Sequence, residues 1–296
     1  MNSISNLVNE HLPQEREKRF FCFRGFMKSG TNWVGNLLNL HPEICCVGEL
    51  HLQSIYETVQ RDLRRLPVMD DRRARNVLRG NLQGMLRQVL VDLADPQASV
   101  IGERTPHTLK PMAIKNVPHM TLVRDARDVL VSRFFHLYNF PEVSRVFERF
   151  PELQPQLQKF RDNEWYFHEN PERLLLTETM VRESMRWWRE HLESDRQTVA
   201  THPGISVLVM KYEDFHANVE SSRRRMYEFL KVDPMSAAAI PEPLMPGMKA
   251  EQPRDFNRKG QIGDWQNYVT DDVKVWIKEE AGEELIRQGY TESMDW

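Results

Sequence analysis

The segment that most restricts the fold lies near the start of the chain, where an apolar run passes through a short glycine-containing loop into a helical pattern. The run FFCFRGF, Phe20–Phe26, is short and rich in aromatics, which is typical of a buried strand. The loop 27–31 follows, and then NWVGNLLNL, in which Trp33 and Leu37 suit one face of a helix. Pro42 ends the helix, because proline disfavours helical backbone at the residue before it. This order of strand, loop and helix predicts the opening of a βαβ unit.

The loop itself has features of a phosphate site. Gly25 and Gly30 have the separation of a Walker loop, but Thr31 and Asn32 stand where that motif needs Lys and Ser/Thr, and Lys28 lies inside the loop. Backbone N–H groups can still point at an anion, aided by the positive end of the following helix; they belong to Ser29, Gly30 and Thr31. The loop therefore predicts phosphate binding without the Mg²⁺ ligand of an ATPase, and the alternative is a plain turn with an exposed lysine.

The rest of the chain alternates short apolar runs with helical patterns. Three runs predict further buried strands: Ser99–Pro106, His119–Val123 and Gly204–Met210. The helical patterns lie at 55–93, 126–138, 142–195, 221–231 and from about 271 onward. Asp125 is a good N-cap for the helix that begins at 126, and Asp128 occupies a place like that of a capping box. The order of strands and helices therefore predicts an α/β domain with a mostly parallel sheet.

Composition excludes several classes of protein. The 296 residues are 40% hydrophobic, yet no run approaches the roughly 18 apolar residues of a membrane span. The polar segment 1–19 lacks the apolar region of a secretory signal. Three cysteines without CxxC spacing indicate neither a disulfide scaffold nor a zinc module. A net charge of -3 argues against bulk nucleic-acid binding. We expect a cytoplasmic protein with no membrane span, no nucleic-acid partner and no metal.

Four segments, in order along residues 20 to 270, resemble the motifs of sulfotransferases that use 3′-phosphoadenylyl sulfate (PAPS). KSGTNW is similar to the 5′-phosphosulfate loop K/R-S-G-T-T-W, and LVRDARDVLVSRFFH is similar to the 3′-phosphate motif. VMKYEDF is similar to the segment whose tyrosine contacts adenine, and FNRKGQIGDW matches R-K-G-x-x-G-D-W. The resemblance implies a single α/β domain with a central parallel sheet of about five strands flanked by helices, as in P-loop nucleotide kinases. It also implies PAPS as sulfuryl donor and adenosine 3′,5′-bisphosphate (PAP) as product. The cofactor-binding residues that it implies are Lys28, Ser29, Gly30, Thr31, Asn32, Trp33, Arg124, Ser132, Tyr212, Phe256, Arg258, Lys259 and Gly260.

The resemblance also implies catalytic residues. Lys28 would stabilise the bridging oxygen as PAP departs, and a general base would take the proton of the acceptor. Glu49, in CCVGELHLQ, resembles the catalytic Glu of the carbohydrate-directed and bacterial branches and is preferred. His107 is the second candidate, although Pro106 occupies the place that the K-x-H motif of the cytosolic branch gives to His. His51 is the third, because it lies two residues from Glu49 and shares a side with it in an extended segment.

The acceptor and the rival functions stay open. The acceptor could be a small molecule, a lipid or a carbohydrate with a hydroxyl or an amine. Eight Arg and three Asp between 61 and 87 form either a basic face for an anionic acceptor or an ordinary solvated helix surface. Residues 234–257, rich in Pro, predict a lid or a loop that closes over the cofactor. QNYVTDDVKV departs from the family's dimer motif, so the oligomeric state is open. The alternatives are a P-loop kinase or NTPase, or a catalytically silent nucleotide-binding protein.

Overall fold

The computed structural model describes residues 18–110, 117–143, 145–247, 251–255 and 258–296. Its centre is a sheet of five parallel strands in the order β2-β3-β1-β4-β5. The strands are β1 Arg19–Gly25, β2 Ile44–Val47, β3 Val100–Arg104, β4 His119–Val123 and β5 Val207–Lys211. The predicted α/β class and the parallel sheet of about five strands are confirmed.

Helices connect the strands, as parallel strands require. They are α1 Thr31–Leu38, α2 Leu52–Leu63, α3 Arg72–Leu93, α4 Ala126–Asn139, α5 Val146–Arg149, α6 Gln154–Asp162, α7 Tyr166–Glu169, α8 Glu178–Thr201, α9 Tyr212–Ala217, α10 Val219–Phe229 and α11 Asp271–Arg287. None of the described helices is long and apolar enough to cross a membrane.

Side-chain alternation along β1 builds a core on both faces of the sheet. Phe21 and Phe23, both fully buried, pack with residues of α1, α9 and α10. Cys22, between them, packs with residues of α2 and α3. Because neighbouring side chains of a strand point to opposite faces, one strand serves both layers of helices. A third apolar cluster joins α4, α8 and α11 around the buried Trp188.

Three local predictions need correction. The helical region 55–93 is two helices, α2 and α3, separated by a turn that contains Pro67. The strand predicted as buried at 204–210 is β5 at the edge of the sheet, where Val209 is 54% exposed. Asp125 caps α4 as predicted, accepting from the backbone N–H of Arg127 at 2.9 Å. Asp128 does not complete a capping box, because its carboxylate accepts hydrogen bonds from a distant loop.

Candidate active site

Most of the predicted site residues line one cavity, at the edge of the sheet where the strands have their carboxyl ends. The ends of parallel strands meet at one edge, and ligands of open α/β sheets bind there. The cavity has a volume of about 870 Å³. Twelve residues predicted from the sequence line it: Lys28, Gly30, Thr31, Asn32, Trp33, Glu49, Arg124, Ser132, Tyr212, Arg258, Lys259 and Gly260. The loops after different strands thus bring residues more than 200 positions apart to one site.

The loop between β1 and α1 has a backbone shaped to approach a ligand closely. Lys28 and Gly30 adopt positive φ angles of 65° and 96°, a region that favours glycine. A Cβ on Gly30 would lie 2.5 Å from ring atoms of Tyr212, so no larger residue fits. Ser29 is fully buried, and its Oγ has no hydrogen-bond partner within the part of the chain that the structure describes. Such a hydroxyl could donate a hydrogen bond to an oxygen of a bound ligand.

Lys28 is the cation of this loop. Burial and, after it, the nearby charge of Arg124 lower the pKa of Lys28 to about 8, although the charge of Glu49 opposes the change. Desolvation disfavours the charged ammonium, as does a second cation close by. A bound anion would stabilise the charged ammonium and so oppose both effects. The electrostatics of the loop therefore favour an anionic ligand.

One end of the cavity is aromatic. The ring centroid of Trp33 lies 5.3 Å from that of Tyr212 and 5.2 Å from that of His216. The guanidinium of Arg124 lies 4.2 Å above the ring of Tyr212, and the hydroxyl of Tyr212 donates to the carbonyl of Gly260 at 2.7 Å. This end offers flat, partly apolar surfaces next to a fixed positive charge, which suits a heteroaromatic base attached to a phosphate.

A second basic group lies on the loop that follows residue 257. Arg258 forms ion pairs with Glu251 and Asp264, and the Nζ of Lys259 lies 3.0 Å from a carboxylate oxygen of each acid. The Nε2 of His168 lies 2.7 Å from Glu251. Burial alone would raise the pKa of Glu251, but hydrogen bonds from His168 and Lys259 and the charge of Arg258 lower it to about 2. The two basic side chains are therefore held by carboxylates. Phe256 lies outside the described residues.

Asp128 holds this loop against α4. Its two carboxylate oxygens accept from the backbone N–H groups of Gly263 at 2.8 Å and Trp265 at 3.0 Å. Trp265 in turn covers the guanidinium of Arg127 at 4.2 Å, and Trp296 covers it at 4.5 Å. The sequence prediction gave Asp128 only a capping place, because its partners lie about 135 positions further along the chain.

The candidate bases occupy different places. Glu49 lines the cavity with its side chain 37% exposed, and its carboxylate lies 3.9 Å from the Nε2 of His51. His107 is absent from the cavity lining. Its backbone forms an isolated β-bridge with Gly25, and its Nδ1 lies 3.0 Å from the carbonyl of Thr108. Burial lowers the pKa of His107, although the hydrogen bond to that carbonyl raises it. The geometry brings Glu49, not His107, to the cavity of Lys28.

Besides Ser132, α4 contributes four residues to the cavity lining that the sequence prediction of the site did not include: Asp128, Arg133, His136 and Leu137. His136 is one helical turn beyond Ser132, so the two share a face of α4 and both line the cavity. Burial, followed by the charges of Lys28 and Arg133, lowers the pKa of His136 to about 4, so its imidazole is neutral at pH 7. The spacing of Ser132 and His136 in a predicted helix is the signal that could have indicated this residue. Within the described ranges, no three His, Cys, Asp or Glu side chains form a group that could hold a metal ion.

A parallel sheet with a glycine-containing loop after its first strand and aromatic and basic side chains at the same edge defines an α/β protein with a cavity that suits a phosphorylated ligand. The chain belongs to the sulfotransferase family: the family model described as Sulfotransferase domain matches residues 23–287. The sequence resemblance is thereby confirmed, and the chain is a sulfotransferase by family.

Similar proteins include the amine sulfotransferase of Oryctolagus cuniculus, which is 24% identical over 275 residues, with 83% of this chain and 73% of the relative covered. A crystal structure of a mouse sulfotransferase complexed with PAP is 16% identical, with 92% of this chain and 87% of that chain covered at a TM-score of 0.46. A sulfotransferase from Alicyclobacillus acidocaldarius is also 16% identical, with 92% and 96% covered at a TM-score of 0.44.

Proposed function

We propose that this protein transfers the sulfuryl group of PAPS to a hydroxyl or amine of a small-molecule, lipid or carbohydrate acceptor. The observation that carries the proposal is that one cavity is lined by two groups of residues that could each bind an anion. The first is the loop around Lys28, and the second is formed by Arg124, Ser132 and the Arg258–Gly260 loop. PAP and PAPS carry phosphate groups on two different ribose carbons, so two anion sites in one cavity match them.

The residues present fit such a nucleotide. The buried Oγ of Ser29 and the Nε of Arg124 have no hydrogen-bond partner within the described ranges, and buried polar groups are normally paired. Because Gly30 has no side chain, the ring of Tyr212 packs directly against the loop, where a Cβ would lie 2.5 Å from ring atoms. Arg124 and Tyr212 lie side by side in the cavity lining, so that a phosphate can contact Arg124 while a base contacts Tyr212.

The chain's own groups then have distinct tasks. PAPS, when bound, supplies a sulfuryl group attached to a good leaving group. Lys28, in its protonated form, donates to the leaving oxygen, where negative charge develops, and the loop N–H groups share that charge. Glu49 lies close enough to affect the charge of Lys28 and would accept the proton of the acceptor as it attacks. Positioning and neutralisation carry most of the catalysis, as in phosphoryl transfer.

The segment 234–257 belongs to the same proposal as a cover for the acceptor. Its described part contributes Glu242 to Gly247 to the cavity lining. The indole Nε1 of Trp33 donates to the carbonyl of Leu244 at 2.8 Å, which ties this segment to α1. A residue at the aromatic end of the cavity thus holds the segment that we propose as the cover of the acceptor.

Binding separates this function from its rivals. Thermal unfolding is measured with PAP, Mg-ATP and 5′-AMP, and sulfuryl transfer from labelled PAPS to an acceptor panel follows. We expect stabilisation by PAP alone, and Lys28→Met should lower turnover by about 10²-fold or more, as for loss of one donor to a developing charge. Lys274→Met, on the surface of α11, is the matched control. Stabilisation by Mg-ATP but not by PAP would replace this proposal with a phosphotransferase.

A further inference from the structure

Arg133 is a cavity residue that no task in the proposed reaction employs. It follows Ser132 on α4 and is partly buried where it lines the cavity. Its guanidinium lies 4.8 Å above the ring of Trp187, and its Nη1 lies 3.4 Å from the Sδ of Met27. Both neighbours are uncharged, so the side chain is positioned by packing and not by an ion pair.

No carboxylate of the described residues lies within ion-pair distance of Arg133. Burial lowers the pKa of Arg133, although the charge of Glu183 raises it. The carboxylate of Glu183 forms its ion pair with Arg149, at 2.5 Å. An arginine nevertheless stays protonated at neutral pH. A partly desolvated cation without an anion is unfavourable, and a ligand that brings an anion would relieve it.

The contacts of Arg133 place it near Lys28, in the part of the cavity that the proposed function leaves for the acceptor. Met27 precedes Lys28 directly, and the charges of both Lys28 and Arg133 act on His136. The aromatic end of the cavity is held by Arg124 instead, which lies over Tyr212. Among the described residues, Arg133 lies next to Met27 and Trp187, and neither of these belongs to that end.

We propose that Arg133 selects an acceptor that carries an anionic group in addition to the hydroxyl or amine that receives the sulfuryl group; this inference rests on the proposed function. A carboxylate matches the planar guanidinium best, because the two can form a pair of parallel hydrogen bonds. Apolar residues also line the cavity: Met27, which contacts Arg133, and Pro106, Leu137, Pro243, Met245 and Pro246. The acceptor class is therefore an amphipathic anion, with an apolar body between its reacting group and its acid.

The test compares acceptors that differ only in charge. One set is 3-(4-hydroxyphenyl)propanoate, its primary amide and tyramine, and an aliphatic set is a long-chain ω-hydroxycarboxylate, its amide and the matching amino alcohol. We expect kcat/KM for the acid to exceed that for the amide by about tenfold, as for one charge-assisted contact. In Arg133→Gln that preference should vanish, and Arg133→Lys should restore part of it. Arg224→Gln, on the surface of α10, should leave it unchanged.

Other results would overturn the inference in recognisable ways. Equal losses for the acid, the amide and the amine in Arg133→Gln would mean that Arg133 contacts the sulfuryl group. Weaker PAP binding in the same variant would assign Arg133 to the nucleotide. If turnover is too slow, the added stabilisation by each compound in the presence of saturating PAP is compared, and no preference for the acids refutes the inference. Failure of PAP itself to bind would refute the proposed function instead.

Discussion

The carboxylate of Glu251 contacts both basic side chains that we propose for phosphate binding, Arg258 and Lys259. Its removal should lower the stability of the fold and raise the affinity for the ligand. His168, Arg258 and Lys259 all contact this carboxylate, whose side chain is 15% exposed. Its pKa is about 2 in the fold and 4.5 as an ordinary value. A lowered pKa stabilises the fold by about 3 kcal/mol at neutral pH. That contribution is present above pH 4.5 and is lost as the pH falls towards 2.

Glu251→Gln is the perturbation. Urea unfolding of both proteins is measured at pH 7 and pH 3.5. Between these values the wild type should lose about 1.4 kcal/mol more than the variant, because its carboxylate is protonated in the unfolded chain and not in the fold. The control is Glu228→Gln, which breaks an exposed pair with Arg224 and should change stability by less than about 0.5 kcal/mol. Equal acid sensitivity of Glu251→Gln and the wild type would refute the electrostatic reasoning.

PAP affinity provides the second measurement on the same variant. Removal of the carboxylate leaves Arg258 and Lys259 with one competing anion fewer, so PAP should bind about tenfold more tightly, equivalent to about 1.4 kcal/mol. Calorimetric titration at fixed ionic strength measures this. Weaker binding by Glu251→Gln would show that the carboxylate holds the loop in its binding shape and does not compete with the phosphate.

Three further predictions concern the loop and the sheet. PAP affinity should fall as the pH rises above 8, by up to about tenfold for each pH unit, because binding must then protonate Lys28; proton uptake in calorimetry at pH 8.5 tests this, and Lys28→Arg should remove the dependence. Gly30→Ala should abolish PAP binding while the protein stays folded, because its Cβ would meet the ring of Tyr212 at 2.5 Å; normal PAP binding would contradict this. Glu103→Gln should destabilise the fold by about 3–5 kcal/mol, because it leaves the guanidinium of Arg24, paired at 2.7 Å and 1% exposed, without its anion; denaturant unfolding measures this, and Arg24→Met added to it should recover stability.

Features of short range were predictable from the sequence. The strand, loop and helix at 20–42 follow from periodicity and turn residues that lie next to each other. His119–Val123 is a strand with the predicted bounds, and the last helix begins at Asp271, as its pattern predicts. The motif segments lie at one sheet edge because parallel strands bring their carboxyl ends together.

Features set by distant partners were not predictable. The exposure of Val209 depends on the position of β5 in the sheet, which an apolar run does not encode. The role of Asp128 depends on a loop near residue 263. Arg133 has no local signal at all, since an arginine on a helix is usually a surface residue. Arg133 differs from a surface arginine because it packs against Trp187 of α8 and Met27 of the loop before α1, and these contacts depend on the folded chain.

The buried amine of Lys28 also makes this residue chemically distinct from the other lysines of the protein. With a pKa of about 8, about a quarter of its side chains are uncharged at pH 7.5, against about 0.1% for an ordinary lysine. An uncharged amine is a nucleophile, so a mild acylating reagent at this pH should modify Lys28 ahead of exposed lysines. A reactive group placed on an acceptor-like molecule could therefore attach itself in the cavity, and a bound anion that restores the ammonium would protect the site.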